Sequence, residues 1–274
     1  MPSASDSVVP SGVVPDGAAS VRLVAFDLDD TLAPSKTAID PRMAQLLVEV
    51  LGVVQVCVIS GGQFGQFESQ LIANLPLDHP EALARLHLLP TCGTQYYVFR
   101  DGDGDGDGEW QQQYAENLTD AQRADALAAL ESEARRLGFW ESDTWGPILE
   151  DRGSQITFSA LGQAAPVDAK RAWDPTGEKK NTLRAAVEPL LPELEVRSGG
   201  STSVDITRRG IDKAYGMRKL AELTGVPFEQ MIFVGDRLDP EGNDFPVIAL
   251  GIPTHAVEGW EDTAEFVERF LAER

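Results

Sequence analysis

Val21–Phe26 is a short apolar run rich in residues that favour extended backbone, and it predicts a buried strand. The pattern then changes period. Asp40 followed by Pro41 marks a helix start, and Met43, Leu46, Leu47, Val50 and Leu51 recur at helical spacing before Gly52. Val53–Ile59 predicts a second continuous apolar strand. Two buried strands without polar alternation, joined by a helix, predict a β-α-β unit and a parallel sheet. Ser60–Gly62 closes the second strand and leads into a helix over about residues 63–75.

The middle of the chain reads differently. Tyr96–Arg100 and Glu109–Tyr114 predict the arms of a hairpin, joined by the Asp/Gly run Asp101–Gly108. That run resembles the opening of a calcium loop, but its twelfth position is Gln112 where a Glu is needed, so a solvated turn is expected. Thr119 and Gln122 form a capping box, and Leu127, Leu130, Ala134 and Leu137 follow on one helical face until Gly138. Ile156–Ala160 and Ser203–Thr207 predict strands, with a helix over about Lys179–Leu190 between them. The β-α-β rhythm then returns. Asp212 caps a helix bearing Tyr215, Met217, Leu220 and Leu223 and closed by Gly225; Met231–Val234 and Val247–Leu250 predict strands, and a last helix spans about Glu261–Leu271. The predicted fold class is α/β. A doubly wound parallel sheet formed by residues 21–96 and 208–274 carries an inserted α+β domain at residues 97–207, behind a flexible tail of residues 1–20.

Charge narrows the function. The 274 residues include 44 Asp plus Glu against 23 Lys plus Arg, a net charge of −21. Such a charge disfavours binding to nucleic acid or anionic membranes, where basic patches supply the affinity. An anionic small substrate would need locally placed cations or a metal. Cys57 and Cys92 make no disulfide scaffold, residues 1–20 lack the features of a secretory signal, and no apolar run reaches the ~18–20 residues of a membrane span. A cytoplasmic chain is expected. His79, His87 and His255 are scattered, without metal-ligand spacing.

In open α/β sheets, ligands sit beyond the carboxyl ends of the strands. Three such ends carry polar residues here: Asp27, Asp29 and Thr31 after the first strand, Ser60 after the second, and Asp236 with Asn243 and Asp244 after Met231–Val234. Asp27 and Asp29 flank Leu28, so they can face one small volume from two sides. One carboxylate can serve as nucleophile and the other as proton donor. With Asp236 they make an all-oxygen set suited to Mg²⁺. Like unit charges at ~4 Å and an effective dielectric of ~20 repel by roughly 4 kcal/mol per pair, so a phosphate would be rejected without a cation. Lys213, at the start of the helix before Asp236, can add one.

These residues carry a resemblance. "FDLDDTL" resembles the DxDx[TV] signature of the haloacid dehalogenase superfamily, and "VIS" with Ser60, Lys213 and "GDRLDPEGND" resemble its second, third and fourth motifs. The insertion lies between the second and third motifs, the superfamily's type IIB cap. Within the superfamily, "TLAPSKTAI", "SGGSTSVDI", "GIDK" and "PEGND" resemble the eukaryotic-type phosphomannomutases. The resemblance implies that Asp27 attacks phosphorus to form an aspartyl-phosphate and that Asp29 protonates the leaving sugar oxygen. It also implies that Mg²⁺ is held by Asp27, the backbone carbonyl of Asp29, and Asp236. Ser60 and Lys213 would grip the phosphoryl oxygens, Thr31 would brace the turn, and Asn243 and Asp244 would support the metal.

Two departures shape the expected activity. Asp30 stands where the family has a small residue, often Gly. Of the cap arginines by which the mutases hold the distal phosphate, Arg152 matches one, while Trp145 and Gln163 occupy the other two positions; Lys36 falls where the core offers a further basic residue. Each lost guanidinium contact removes a charge-assisted hydrogen bond worth ~1.5–3 kcal/mol. The expected function is therefore a Mg²⁺-dependent phosphatase of a phosphorylated sugar or similar small metabolite, with a phosphomannomutase as the alternative. A non-catalytic phosphate-sensing module is the third reading, and a homodimer is one expected assembly. Ser203 and Asp205 are candidate cap contacts to substrate, or polar positions on a solvated strand face. Trp140, Trp145 and Trp173 either line a sugar site or form cap core.

Overall fold

The computed structural model describes residues 18–76, 80–100 and 108–274; most of the predicted tail, His79 and the calcium-like residues 101–107 lie outside them. Strand β1 (Leu23–Asp27) is buried at every position, as a strand covered on both faces must be. Helix α1 (Pro41–Val53) starts where Asp40 accepts a hydrogen bond from the Arg42 N–H at 2.8 Å, and strand β2 (Gln55–Ile59) returns parallel to β1. Helix α2 (Phe64–Gln70) follows, shorter than predicted because the chain breaks into a 3₁₀ turn at Ile72–Asn74. Strand β3 (Leu86–Leu89) pairs parallel with β2, and β4 (Gln95–Arg100) pairs antiparallel with β3. Strand β5 (Glu109–Ala115) flanks β4.

The insertion contains helix α3 (Asp120–Leu137), strands β6 (Leu149–Asp151) and β7 (Gln155–Ser159), helices α4 (Val167–Trp173) and α5 (Glu178–Val187), and strands β8 (Leu194–Ser198) and β9 (Ser203–Arg208). Its antiparallel sheet has the order β6-β7-β9-β8. The capping box of Thr119 and Gln122 opens α3, and Gly138, at φ 73°, closes it. Ile156, Phe158, Val196, Val204 and Ile206 pack with Ala126, Leu130, Leu183 and Val187 of α3 and α5 into one core. The alternate residues of β7 put Gln155, Thr157 and Ser159 on the opposite face.

Helix α6 (Lys213–Thr224) restores the doubly wound pattern, with Asp212 accepting from the Tyr215 N–H at 2.8 Å and Gly225 as its left-handed cap. Strand β10 (Met231–Gly235), helix α7 (Phe245–Ile248), strand β11 (Thr254–Ala256) and helix α8 (Trp260–Ala272) complete the chain. Among the described residues one sheet has the order β11-β10-β1-β2-β3-β4-β5. Leu23 pairs with Gln55 on one side and Met231 on the other.

Two boundaries differ from expectation. The chain divides into one compact unit of residues up to Gln113 with Asp212–Arg274, and a second of Tyr114–Ile211. The predicted insertion at residues 97–207 thus starts too early. Backbone pairing of His87 with Val98 and Leu88 with Tyr97 makes β4 an extension of the parallel sheet, and β5 follows it. The predicted strand Val247–Leu250 is instead the end of α7 and a turn. Asp244 and Val247, three apart, are buried while Phe245 and Ile248 are exposed, the spacing of a helical face, and the edge strand is β11.

A polar trio sits inside the β2–β3–β4 region. His87 Nδ1 lies 2.8 Å from Tyr96 Oη, and its Nε2 lies 2.9 Å from Gln55 Oε1. Burial pushes the imidazole down from 6.5 to about 4. The unfolded chain therefore takes up this proton at higher pH than the folded one. Stability is lost as pH falls from 6.5 toward 4, and the full contribution is on the order of 3 kcal/mol. Urea melts across that window should show a shallower loss for His87→Phe than for the unsubstituted chain, by about one proton; parallel curves would refute the assignment.

Candidate active site

The β1 strand delivers Asp27 to the carboxyl edge of the sheet, in register with Ile59 of β2, so Ser60 comes next to it. Val234 pairs with Phe26, so Asp236 arrives on the other side of β1. Beyond Asp27 the chain folds sharply back: the N–H groups of Leu32 and Ala33 donate to Leu28 O, and the Asp30 N–H donates to Ala33 O at 2.7 Å. Asp30 sits at φ 60°, in the left-handed region. This accounts for the small residue expected there, and Asp tolerates the conformation better than most side chains. Its carboxylate accepts from the Ser35 N–H at 3.0 Å, so it braces the loop.

Asp27, Asp236 and Asp244 each offer an oxygen within 4.8 Å of the others. Lys213 Nζ, with no solvent exposure, lies 2.6 Å from Asp27 Oδ1 and 2.5 Å from Asp244 Oδ1. Thr31 Oγ1 donates to Asp236 Oδ1 at 3.3 Å, and the Arg237 N–H donates to Asp244 Oδ2 at 3.1 Å. Gly235 is required beside them, because a Cβ there would overlap the Asp244 carboxylate. Burial raises the pKa of Asp27 well above the usual carboxylate range; Lys213 opposes this and Asp244 adds to it. Asp236 is raised by burial and then by Asp244. Burial works against the Lys213 charge, but Asp244 and Asp27 outweigh it and hold its pKa above the ordinary value.

One ammonium cannot neutralise three carboxylates, and repulsion from Asp244 adds to burial in raising Asp27 and Asp236. A cluster of hard oxygen donors with surplus negative charge fits a divalent cation such as Mg²⁺. The cluster differs from the predicted set. Asp244, predicted as support, belongs to it; Asn243, one residue earlier, is exposed. The Asp29 carboxylate, predicted with the metal residues, is turned toward α2. It accepts from Gln66 Nε2 at 2.8 Å, Gln70 Nε2 at 3.4 Å and the Lys36 N–H at 2.8 Å. Lys36, expected as a basic contact, enters this network through its main chain.

Ser60 is buried, and its Oγ accepts from the Gly62 N–H at 3.1 Å. The Thr91 N–H donates to Gly62 O and the Cys92 N–H to Ser60 O, both at 2.9 Å. Thr91, Cys92 and Gly93 have φ of 49°, 55° and 84°, a left-handed run that is uncommon for the first two residues. A Cβ on Gly93 would come within 2.5 Å of Gly216 Cα. The run therefore holds the Ser60 loop on one side and the first turns of α6, which begin with Lys213, on the other. Gln66, Gln70 and the 91–93 run are absent from the residues expected from sequence. The periodicity of α2 could flag both glutamines as one face, since they are four apart.

In the inserted unit, Asp205 Oδ1 accepts from Thr157 Oγ1 at 2.8 Å, and Ser203 Oγ lies 3.2 Å from Ser159 Oγ. Both candidates therefore belong to a hydrogen-bonded polar sheet face. Gln163 Nε2 donates to Ser159 Oγ at 2.7 Å. Arg152 Nη2 pairs with Glu150 Oε2 at 2.6 Å. Trp140 and Trp173 pack against the unit's core, whereas Trp145 is 47% exposed.

The family described as "Eukaryotic phosphomannomutase" matches residues 144–273. A "Probable phosphomannomutase" of Caenorhabditis elegans is 27% identical over 271 residues, covering 93% of this chain and 98% of that protein. "Phosphomannomutase 1" of Homo sapiens is 25% identical over 256 residues, covering 89% of each. Among solved structures, a haloacid dehalogenase-like hydrolase from Bacteroides thetaiotaomicron superposes with a TM-score of 0.60 at 19% identity, covering 91% of this chain and 99% of that one.

Replacing Lys213 with Met would leave Asp27 and Asp244 buried without their ammonium. The variant should lose about 3–5 kcal/mol of stability, and millimolar Mg²⁺ should restore part of it by occupying the same carboxylates. Denaturant titrations with Mg²⁺ and with EDTA measure both effects. An unchanged midpoint in EDTA would contradict the assigned ion pairs.

Proposed function

We propose that the chain is a phosphomannomutase-like protein of the haloacid dehalogenase superfamily and that it transfers the phosphoryl group of a hexose phosphate through Asp27, as a phosphomutase. The observation that carries this reading is the cluster of Asp27, Lys213, Asp236 and Asp244 at the carboxyl ends of β1 and β10, with Asp29 beside it. An Asp27 oxygen attacks phosphorus, and the bond from phosphorus to the sugar oxygen breaks. Asp29 gives its proton to that oxygen. In the return step a sugar hydroxyl attacks the aspartyl-phosphate, Asp29 takes the hydroxyl proton, and Asp27 leaves as carboxylate. Lys213 Nζ sits where it can accompany charge passing between Asp27 and the phosphoryl oxygens. Ser60, which follows the β2 end beside Asp27, would donate its hydroxyl to those oxygens.

Asp27, Asp236 and Asp244 would hold Mg²⁺. When bound, the cation supplies the positive charge that lets a phosphate dianion approach three carboxylates. Among the relatives, the names favour a mutase over the hydrolysis expected from sequence. Hydrolysis remains the second reading for one reason: Trp145 and Gln163 stand where arginines holding a distal phosphate are expected. A mutase must retain a bisphosphate intermediate, whereas a phosphatase releases its product.

A coupled assay with mannose 1-phosphate, a hexose bisphosphate primer and Mg²⁺ separates the two. The expected outcome is isomerisation without matching release of inorganic phosphate; stoichiometric phosphate release would replace the mutase reading with the phosphatase one. Asp27→Asn should lower either activity by at least about 10³-fold, since it removes the nucleophile. Full activity in that variant would sink the site assignment.

A further inference from the structure

We propose that Gln66 and Gln70 are positioning residues for Asp29: two neutral amides, one helical turn apart on α2, that aim the proton-transferring carboxylate. The inference rests on the acid–base role assigned to Asp29 above. Residues four apart on a helix share a face, and here both point at one carboxylate. Gln66 Nε2 donates to Asp29 Oδ2 at 2.8 Å, while Gln70 Nε2 reaches Asp29 Oδ1 at 3.4 Å and donates to Thr37 O at 2.8 Å. The Lys36 N–H completes the set on Oδ1 at 2.8 Å. Both carboxylate oxygens are thereby held.

The orientation of Gln70 is informative. The residue is 3% exposed, and among the described residues its Oε1 has no hydrogen-bond partner. Its two N–H bonds face two acceptors, Thr37 O and Asp29. Turning the amide over would set oxygen lone pairs against oxygen lone pairs. Asp29 and Thr37 O therefore dictate which end of the amide faces them, even though its oxygen goes unpartnered. Gln66 is constrained in its own way. Its Oε1 lies against Gly62, where a Cβ would overlap it, so Gly62 gives the side chain room to cross the Ser60 loop toward Asp29. The same Gly62 donates to Ser60 Oγ at 3.1 Å. The phosphate-side loop and the proton-side helix are thus locked together through one glycine.

Neutral amides suit this role. They fix a direction for the carboxylate without adding charge and without a proton that they could give up under neutral conditions. Their loss should therefore be felt only in steps where Asp29 must place or collect a proton. An alkoxide leaving a hexose phosphate needs that proton, and a hydroxyl or water attacking the aspartyl-phosphate must give one up to Asp29; only the phenolate that leaves p-nitrophenyl phosphate in the first turnover departs without one. A defect in folding or in phosphate binding would affect both substrates alike.

The test compares Gln66→Leu and Gln70→Leu with the unsubstituted chain on hexose 1-phosphate and p-nitrophenyl phosphate, with Mg²⁺ and the bisphosphate primer present for the sugar. The expected result is a kcat lowered about 10–100-fold on the sugar phosphate, while first-turnover release of p-nitrophenolate, followed by stopped flow before water attacks the aspartyl-phosphate, slows by less than about threefold, with little change in KM. Equal losses on both substrates, or no loss on either, overturn the proposal. Should a leucine variant fail to fold, Gln66→Glu keeps the shape but sets a carboxylate against Asp29, and the same substrate contrast applies. Turnover of p-nitrophenyl phosphate that disappears in Asp27→Asn verifies the underlying reading in the same experiment. If the unsubstituted chain turns over neither substrate, the proposed function fails and this inference with it, an outcome distinct from uniform loss in the variants.

Discussion

A lysine with no access to water sets the terms for this molecule. An isolated ammonium in that position would cost several kcal/mol, so Lys213 is tolerable only with carboxylates in contact. Asp27 and Asp244 supply them at 2.6 and 2.5 Å, and Asp236 makes the balance negative. Much of the local architecture follows from fitting these groups together. Asp212 starts the helix so that Lys213 is its first residue. Gly216 lets that helix press against the 91–93 turn, and Gly235 leaves space for Asp244. The ion pairs alone add little net stability compared with an apolar core. Under the proposed function, their retention makes sense as preparation for a charged substrate and a divalent cation.

The acidic and phosphate-side residues are legible in the sequence because of how parallel sheets are built. Strands buried on both faces read as unbroken apolar runs, and the polar residues that end them fall at the ligand edge. Asp27, Ser60 and Asp236 can be read in this way, and Lys213 as the first residue of the helix that precedes β10. The edges of the fold cannot. β4 and β5 look like any hairpin, and nothing in their residues says which sheet they extend. β3, with only Leu86–Leu89, and β6, with only Leu149–Asp151, are too short to declare a period. Val247–Leu250 is a brief apolar run that fits helix or strand equally until its burial is known. Gln66 and Gln70 can be read as one helical face from their spacing, but their meaning comes from the loop of residues 29–37 approaching α2, a tertiary event.

Backbone conformation carries further information that residue type only hints at. Asp30, Thr91 and Cys92 all occupy the left-handed region beside the site. Each non-glycine residue there stores strain that the surrounding hydrogen bonds must hold. Asp30 is anchored by Ser35 and Ala33, and the 91–92 pair by Ser60 and Gly62. Rigid turns of this kind fix where carboxylates and donors point, which a flexible glycine loop would do less sharply.

The central strand β1 has one neighbour encoded close by and the other, β10, encoded only after the whole inserted unit. During synthesis, β1, β2 and β3 leave the ribosome early and can associate, while the insertion buries a core of its own. Closing a long loop is entropically mild when its contents have already condensed. Until Lys213, Asp236 and Asp244 emerge, however, a nascent chain holds Asp27 with neither its ammonium nor its acidic companions. The complete charged cluster is thereby withheld from unfinished polypeptide and assembled only when the two halves of the sheet zip together.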